Sequence, residues 1–289
     1  MINCYFIDII NAPLFEGSAT QGQEFSYSFV KDEITCSDRL SFVDYNSLVA
    51  TNIKDDVYNT KNIRKVTTKC ENIRLSILES FKNKKFPIVL GGDHSVAMAS
   101  IAAGSETFGI DNYAVIYIDG HADINTEETS VSHNIHGMPL AASLGLCLDS
   151  LRIGPLKKKI KGENLFILGA RSIDPPEYKI IQDNGVSLFE NTVFNNGDYS
   201  KVLKQIIDRI GNKKVHISFD VDVLDPSVFS STGYLMKDGL SLECVLSMLS
   251  LFVNSLDVVS MDIVEYNPLL DNGKKDLKTL LHILDEIIT

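Results

Sequence analysis

The stretch from Tyr113 to Pro139, YAVIYIDGHADINTEETSVSHNIHGMP, constrains this chain more than any other. An apolar, β-branched and aromatic run, Ala114 to Ile118, predicts a strand, and it ends in Asp119, His121 and Asp123. Residues two apart point to the same side of an extended chain. The three side chains therefore converge just past the strand. Such a convergence is either a set of metal ligands or a cluster of buried charge. Buried carboxylates without a cation are costly, so the metal is favoured.

The rest of the chain supplies a frame of alternating strands and helices. Strands are predicted over residues 2–10, Leu40 to Val43, Phe86 to Leu90, Asn164 to Leu168, Val186 to Leu188, Lys214 to Phe219 and Val258 to Ile263. Helical periodicity runs from about Asn59 to Lys84, with Ile63, Val66, Cys70, Ile73, Ile77 and Leu78 on one face. Further helices are predicted from about His94 to Thr107, from near His136, after Pro175-Pro176, over Tyr199 to Ile210, over Leu242 to Val253, and from Lys274 to the end. Residues 11–38 lack periodicity and are expected to be loop, and the LKKKIK run at 156–161 a solvated loop or helix end. Strands alternating with helices predict a parallel sheet covered on both faces. The 289 residues, without repeat, low-complexity segment or linker, fit one domain spanning 1–289.

Composition excludes several function classes. A formal charge of −11 argues against nucleic acid or an anionic membrane as the main partner. No run approaches the roughly 20 apolar residues of a membrane span, and MINCYFIDII lacks the basic n-region of a signal peptide. Cys4, Cys36, Cys70, Cys147 and Cys244 are scattered, odd in number and without CxxC spacing, as expected of free thiols in a reducing compartment. The expectation is a cytoplasmic protein.

Ligands of open α/β sheets sit beyond the carboxyl ends of the strands. Gly91-Gly92-Asp93-His94-Ser95 follows one predicted strand, Asp119-Gly-His121-Ala-Asp123 the next, and Asp220-Val-Asp222 a third. Glu265 follows a fourth, and Arg171, Asp174 and Glu177 a fifth. Each motif alone admits a simpler reading: a surface strand end, a turn and helix cap, or loop-capping aspartates. Together they place two imidazoles and four carboxylates at one sheet edge: His94, His121, Asp119, Asp123, Asp220 and Asp222. That is too many ligands for one ion and suits two. The oxygen-rich set favours Mn²⁺, with Fe, Co or Ni as alternatives. Two such ions lower the pKa of a shared water, and the expected chemistry is hydrolysis by a metal-bridging hydroxide. His216, within a strand, is expected to pack or support a ligand, and His282 to sit on a helix as a surface or core histidine.

GGDHS, DGHAD and SFDVDVLDP, in that order, resemble the three signatures of the ureohydrolases, the arginase and agmatinase superfamily. The resemblance covers about residues 86–270. It implies a three-layer α/β/α sandwich around an eight-stranded, mostly parallel sheet. It also implies two Mn²⁺, hydrolysis of a guanidino group to an amine and urea, and a homo-oligomer, trimer or hexamer. The six residues above match the family's metal ligands one by one. The loop from Asn125 to Pro139 is most similar to that of bacterial arginases. By that resemblance Asn125, Ser132 and Asn134 would hold the α-carboxylate of arginine, Asp174 its α-amino group with Glu177 behind, Glu265 its guanidinium, and His136 would shuttle protons. Asp123 would also orient the nucleophile. A non-catalytic relative is disfavoured, since every one of these residues is present.

The chain also departs from the family pattern. Val223 stands where Gly is usual, His133 where a Gly is common, and Tyr234 where a Thr sits beside the guanidinium site. The Gly/Pro/Arg-rich N-terminal loop is eroded in residues 11–30. The expected substrate is L-arginine. The alternative is another guanidino compound: agmatine, a guanidino acid, or arginine within a peptide.

Overall fold

The computed structural model describes residues 5–34, 38–45, 62–195 and 199–288. The predicted starts of the first strand at 2–4 and of the long helix at 59–61 lie outside these. The strands, in chain order, are β1 (Ile7–Asn11), β2 (Leu40–Val43), β3 (Phe86–Leu90), β4 (Tyr113–Ile118), β5 (Leu165–Leu168), β6 (Ser187–Phe189), β7 (Lys214–Asp220) and β8 (Asp257–Val264). The helices are α1 (Ser26–Glu33), α2 (Ile63–Lys82), α3 (Ala97–Phe108), α4 (Pro139–Leu144), α5 (Pro175–Asn184), α6 (Asn191–Asn195), α7 (Ser200–Ile210), α8 (Leu242–Ser255) and α9 (Lys275–Ile288).

The eight strands form one sheet in the order β2-β1-β3-β8-β7-β4-β5-β6, and every pairing is parallel. A parallel sheet of this kind is covered on both faces, so its central strands are apolar throughout rather than alternating. YAVIYI of β4 and FPIVL of β3 are buried at every position. In β4, Ala114, Ile116 and Ile118 pack with α7, α8 and α9 on one face. Tyr113, Val115 and Tyr117 pack with α3, α4 and α5 on the other. The three-layer α/β/α sandwich implied by the sequence is therefore observed.

Helix α3 comes unusually close to the sheet. A side chain at Gly104 would lie 2.1 Å from the Tyr113 hydroxyl. The sequence AMASIAAGS supplies the small residues this approach needs, and it presses Ser100 onto Asp262 of β8 at 2.5 Å.

Two segments differ from expectation. Within 11–38 the chain forms a turn of 3₁₀ helix, Gln23–Phe25, and then α1. Only Ser26, Tyr27 and Val30 of α1 are buried, too few to print a helical period. Tertiary contacts hold it instead, among them Ser26 Oγ donating to Tyr266 O at 2.6 Å. In the LKKKIK run, Lys157 and Lys158 are exposed as expected, but Lys159 is 2% exposed and Ile160 is fully buried. Their backbone N–H groups donate to Ser143 O at the end of α4 and draw the segment inward. Burial lowers the Lys159 pKa to about 8.

Candidate metal centre

The carboxyl ends of β3, β4, β7 and β8 lie side by side, and the predicted ligands follow them. His94 Nδ1 lies 2.8 Å from Asp119 Oδ2, 3.0 Å from Asp220 Oδ2 and 3.3 Å from Asp123 Oδ2. His121 Nδ1 lies 3.0 Å from Asp222 Oδ2 and 3.5 Å from Asp119 Oδ1. Two groups of metal-ligating geometry result, His94–Asp119–Asp220 and Asp119–His121–Asp222, with Asp119 common to both. Asp123 approaches from the His94 side and accepts a hydrogen bond from Tyr117 Oη at 2.8 Å.

The donor set fits a pair of cations. His94 Nδ1 and Asp119 Oδ2 are buried and face each other without a hydrogen bond, as lone pairs converging on a common point do. Burial lowers the basicity of His94, yet Asp119, Asp123 and Asp220 outweigh it and push its pKa well above the ordinary value. Burial together with Asp222 and Asp119 raises Asp220 well above the usual carboxylate range. Four carboxylates crowded around two imidazoles are thus stabilised by added positive charge, which divalent cations would supply.

A buried polar network supports His94 from below. His94 Nε2 lies 2.9 Å from Ser218 Oγ, which donates to Asp262 Oδ2 at 3.3 Å. His216 contacts Asp262 Oδ2 at 3.0 Å and Ser260 Oγ at 2.9 Å. With Nε2–H donating to Ser218, the Nδ1 lone pair of His94 is left to bind metal. His216 is thus a supporting residue, as expected, and His282 is exposed on α9.

Above the ligands lies a cavity of about 360 Å³. His121, Asp123, Asp220 and Asp222 reach its floor, and Glu265, His136, Tyr234, Asn125, Ser132, Asp174 and Glu177 form its walls. Asn134 is 5% exposed and is not part of the wall. Asn125 is fixed at both ends of its amide: Nδ2 donates to Asp174 Oδ2 at 3.0 Å, and Oδ1 accepts from Thr129 Oγ1 at 2.8 Å. Ser132 Oγ accepts from Asn134 N at 3.2 Å. Glu177 accepts from Asp174 N at 2.8 Å and Ile124 N at 3.0 Å, tying α5 to the β4 loop. Burial raises its pKa to about 7 despite those two N–H donors. Arg171 does not line the cavity. Its guanidinium donates to the backbone carbonyls of Asp222, Val223 and Met236 and braces the ligand loop against the 229–240 segment. Val223 is fully buried, packed where a side chain on Gly169 would collide.

Glu265 and His136 face each other across one side, with Nδ1 3.1 Å from Oε1. Burial depresses the His136 pKa, but Glu265 and the nearby aspartates raise it to about 9. The Tyr234 ring centroid lies 5.3 Å from that of His136 and 6.1 Å from that of His121. Glu265 and Asp123 both adopt positive φ, 64° and 47°. A left-handed Glu is strained, and such strain gathers at functional sites.

Motif reading missed the N-terminal contribution to this wall. Gln23 Nε2 donates to Glu265 Oε2 at 3.1 Å. His136 N donates to Gly17 O at 3.1 Å. Gly17 N in turn donates to Asp93 Oδ2 at 2.8 Å. Burial raises the pKa of Asp93 to about 6, with Glu265 adding to the effect. Asp93 could have been found from GGDHS itself, because it precedes a helical turn and caps it through Ser95 N at 3.0 Å. Nothing in the sequence around Gln23 marks it. Among the described residues Cys70, Cys147 and Cys244 are free thiols, and no described helix is long and apolar enough to cross a membrane.

The chain matches the arginase family over residues 8–289. It is 34% identical over 292 residues to an arginase of Bacillus subtilis, spanning 98% of this chain and 97% of that protein. The crystal structure of a Bacillus subtilis arginase superposes with a TM-score of 0.86 at 31% identity, covering 98% of both chains. That of the Bacillus caldovelox arginase superposes with a TM-score of 0.87 at 27% identity and the same coverage. With an aspartate shared between two ligand groups at the end of β4 and family similarity along nearly its whole length, this chain belongs to the arginase family, hydrolases of amidino carbon–nitrogen bonds built around a pair of metal ions.

Proposed function

We propose that the protein hydrolyses the guanidino group of L-arginine to L-ornithine and urea, with two divalent cations, Mn²⁺ by preference, at Asp119. His94, Asp123 and Asp220 would complete one site, and His121 and Asp222 the other. The observation that carries this reading is the shared Asp119 beneath a cavity flanked by the Glu265–His136 pair. When bound, the cations supply Lewis acidity and lower the pKa of water toward neutrality.

The protein's own groups do the rest. A guanidinium is charged near neutral pH, and Glu265 offers it a carboxylate that can accept a charge-assisted hydrogen bond. Asp123, fixed by Tyr117, orients the attacking water through a hydrogen bond. His136, kept protonated by Glu265, gives a proton to the leaving amine nitrogen and recovers one from the next water. At the mouth, Asp174 meets the α-amino group, and Asn125 and Ser132, with Asn134 supporting the loop, meet the α-carboxylate. Glu177 holds Asp174 in place through its backbone N–H.

A second reading rests on Tyr234. Its ring against His136 and His121 narrows the guanidinium end of the cavity and could redirect a sound metal site to another guanidino compound: agmatine, a guanidino acid, or arginine within a peptide. The test is urea release by Mn²⁺-loaded protein from L-arginine and from each of these. Fast turnover of L-arginine alone supports the first reading. Turnover of another member with arginine inert selects the second, and no urea from any overturns both. The proposal extends to a cytoplasmic homo-oligomer of three or six chains, which light scattering on purified protein would count.

A further inference from the structure

We propose that Gln23 is a positioning residue for the substrate guanidinium, fixing the Glu265 carboxylate that receives it. The inference rests on the guanidino-hydrolase reading above and deepens it. Glu265 is 2% exposed and sits on a loop just past β8. Its Oε1 accepts from His94 N at 3.0 Å and faces His136 Nδ1 at 3.1 Å. The last torsion of a glutamate is broad, so contacts to Oε1 alone leave the carboxylate free to pivot. Gln23 Nε2, donating to Oε2 at 3.1 Å, removes that freedom. A carboxylate offers about four lone-pair sites, so these contacts still leave one for an incoming N–H.

Gln23 is itself held firmly. Its backbone carbonyl oxygen accepts from Gly92 N at 3.2 Å and lies 2.6 Å from Ser26 Oγ, whose one hydroxyl proton it shares with Tyr266 O. Its side-chain nitrogen also reaches Thr20 Oγ1 at 2.5 Å. Thr20 packs so closely on Gly233 that a side chain there would lie 2.9 Å from the threonine hydroxyl. Gln23 thereby joins Glu265 to the segment that carries Tyr234.

The amide does not earn its place by packing. The side chain is fully buried, and its Oε1 has no partner among the described residues. An apolar side chain of equal length would avoid that unpaired group. Gln23 does not line the cavity, so it acts through Glu265 and touches no reacting atom.

The test is Gln23→Met in the full Mn²⁺-loaded chain, which keeps length and volume and removes the donor. Four quantities are compared with the wild type: kcat/KM for L-arginine, the inhibition constant of L-ornithine (which lacks the guanidinium), bound metal, and melting temperature. The expected result is a fall in kcat/KM of about tenfold, the low end for a hydrogen bond to a charged group. Ornithine inhibition and metal content stay unchanged, and the melting temperature is no lower. Equal weakening toward both ligands, a lower melting temperature with failure to fold, or unchanged kcat/KM would overturn the inference. If the wild type acts on a different guanidino compound, that compound and its amine product replace arginine and ornithine. Inertness of the wild type toward every guanidino compound instead removes the functional reading itself, and the Gln23 inference with it.

Discussion

The floor of the cavity and its walls are built in opposite ways. The floor comes from strand ends: His94, Asp119, Asp220 and Asp222 each lie at or just past the end of a strand of one parallel sheet and are nearly or wholly buried. The walls come from segments far apart in sequence, residues 125–137, 172–177, Tyr234 and Glu265, with residues 17–23 packed behind them, and the rim reaches solvent, with Val131 91% and Leu235 54% exposed. Sheet registry sets the floor, and a change there is felt by neighbouring ligands. The walls are set by side-chain hydrogen bonds such as Gln23–Glu265 and Asn125–Asp174. The structure thus separates the chemistry, which the sheet dictates, from the choice of substrate, which the loops can alter residue by residue.

Changing the floor should produce the largest effect. Asp119→Ala removes the ligand common to both groups, so bound metal should fall well below two per chain and turnover to background. Metal analysis alongside urea release reads this, and retained activity would break the distinction drawn here. Next in size is His136→Ala, at the boundary between floor and wall. Turnover should drop by about 100- to 10,000-fold, as for loss of a general acid–base group, while both metals stay bound.

Smaller effects should follow from the walls. Asp276 of α9 is 1% exposed, and its Oδ2 accepts from the N–H and hydroxyl groups of both Ser230 and Ser231. Asp276→Ala should cost about 3 kcal/mol of stability by leaving buried donors unpaired. It should also raise KM through the loosened 229–240 segment, with metal content unchanged. Thermal melting and Michaelis kinetics on one preparation separate the two effects. Tyr234→Thr should be smallest. It opens the guanidinium end and shifts relative kcat/KM among guanidino compounds by about tenfold, the scale of a modest change in pocket shape. A loss of metal in that variant would erase the line between floor and wall.

The same division explains what the sequence disclosed. The floor was legible because the carboxyl-end rule puts Asp119 and His121 just past β4, while Asp123 arrives through a left-handed turn that the two-residue period does not describe. The central strands were recognisable because continuous apolar runs bounded by polar loops mark buried parallel strands, and the half-buried edge strands β2 and β6 by their place in the alternation with helices. Helix α1 was not, because three buried residues in eight leave no period to detect. Gln23 was invisible for a different reason. Its partner Glu265 lies 242 residues away, and a glutamine between Gly22 and Glu24 carries no local signal of that contact. Arg171 shows the converse: its position after β5 suggested a group in the cavity, while its guanidinium is spent on the backbone carbonyls of Asp222, Val223, Met236 and Lys237. Position at the right edge of a sheet identifies who can reach the site, and only the hydrogen-bond partners decide who does.

The most direct test of the central claim is to strip the protein of metal, restore zero, one or two equivalents of Mn²⁺, and measure urea and L-ornithine formed from L-arginine. The account predicts negligible turnover at zero, full turnover at two, and the two products in equal amounts. Undiminished turnover without metal, or two bound cations with no urea from any guanidino compound, would contradict it.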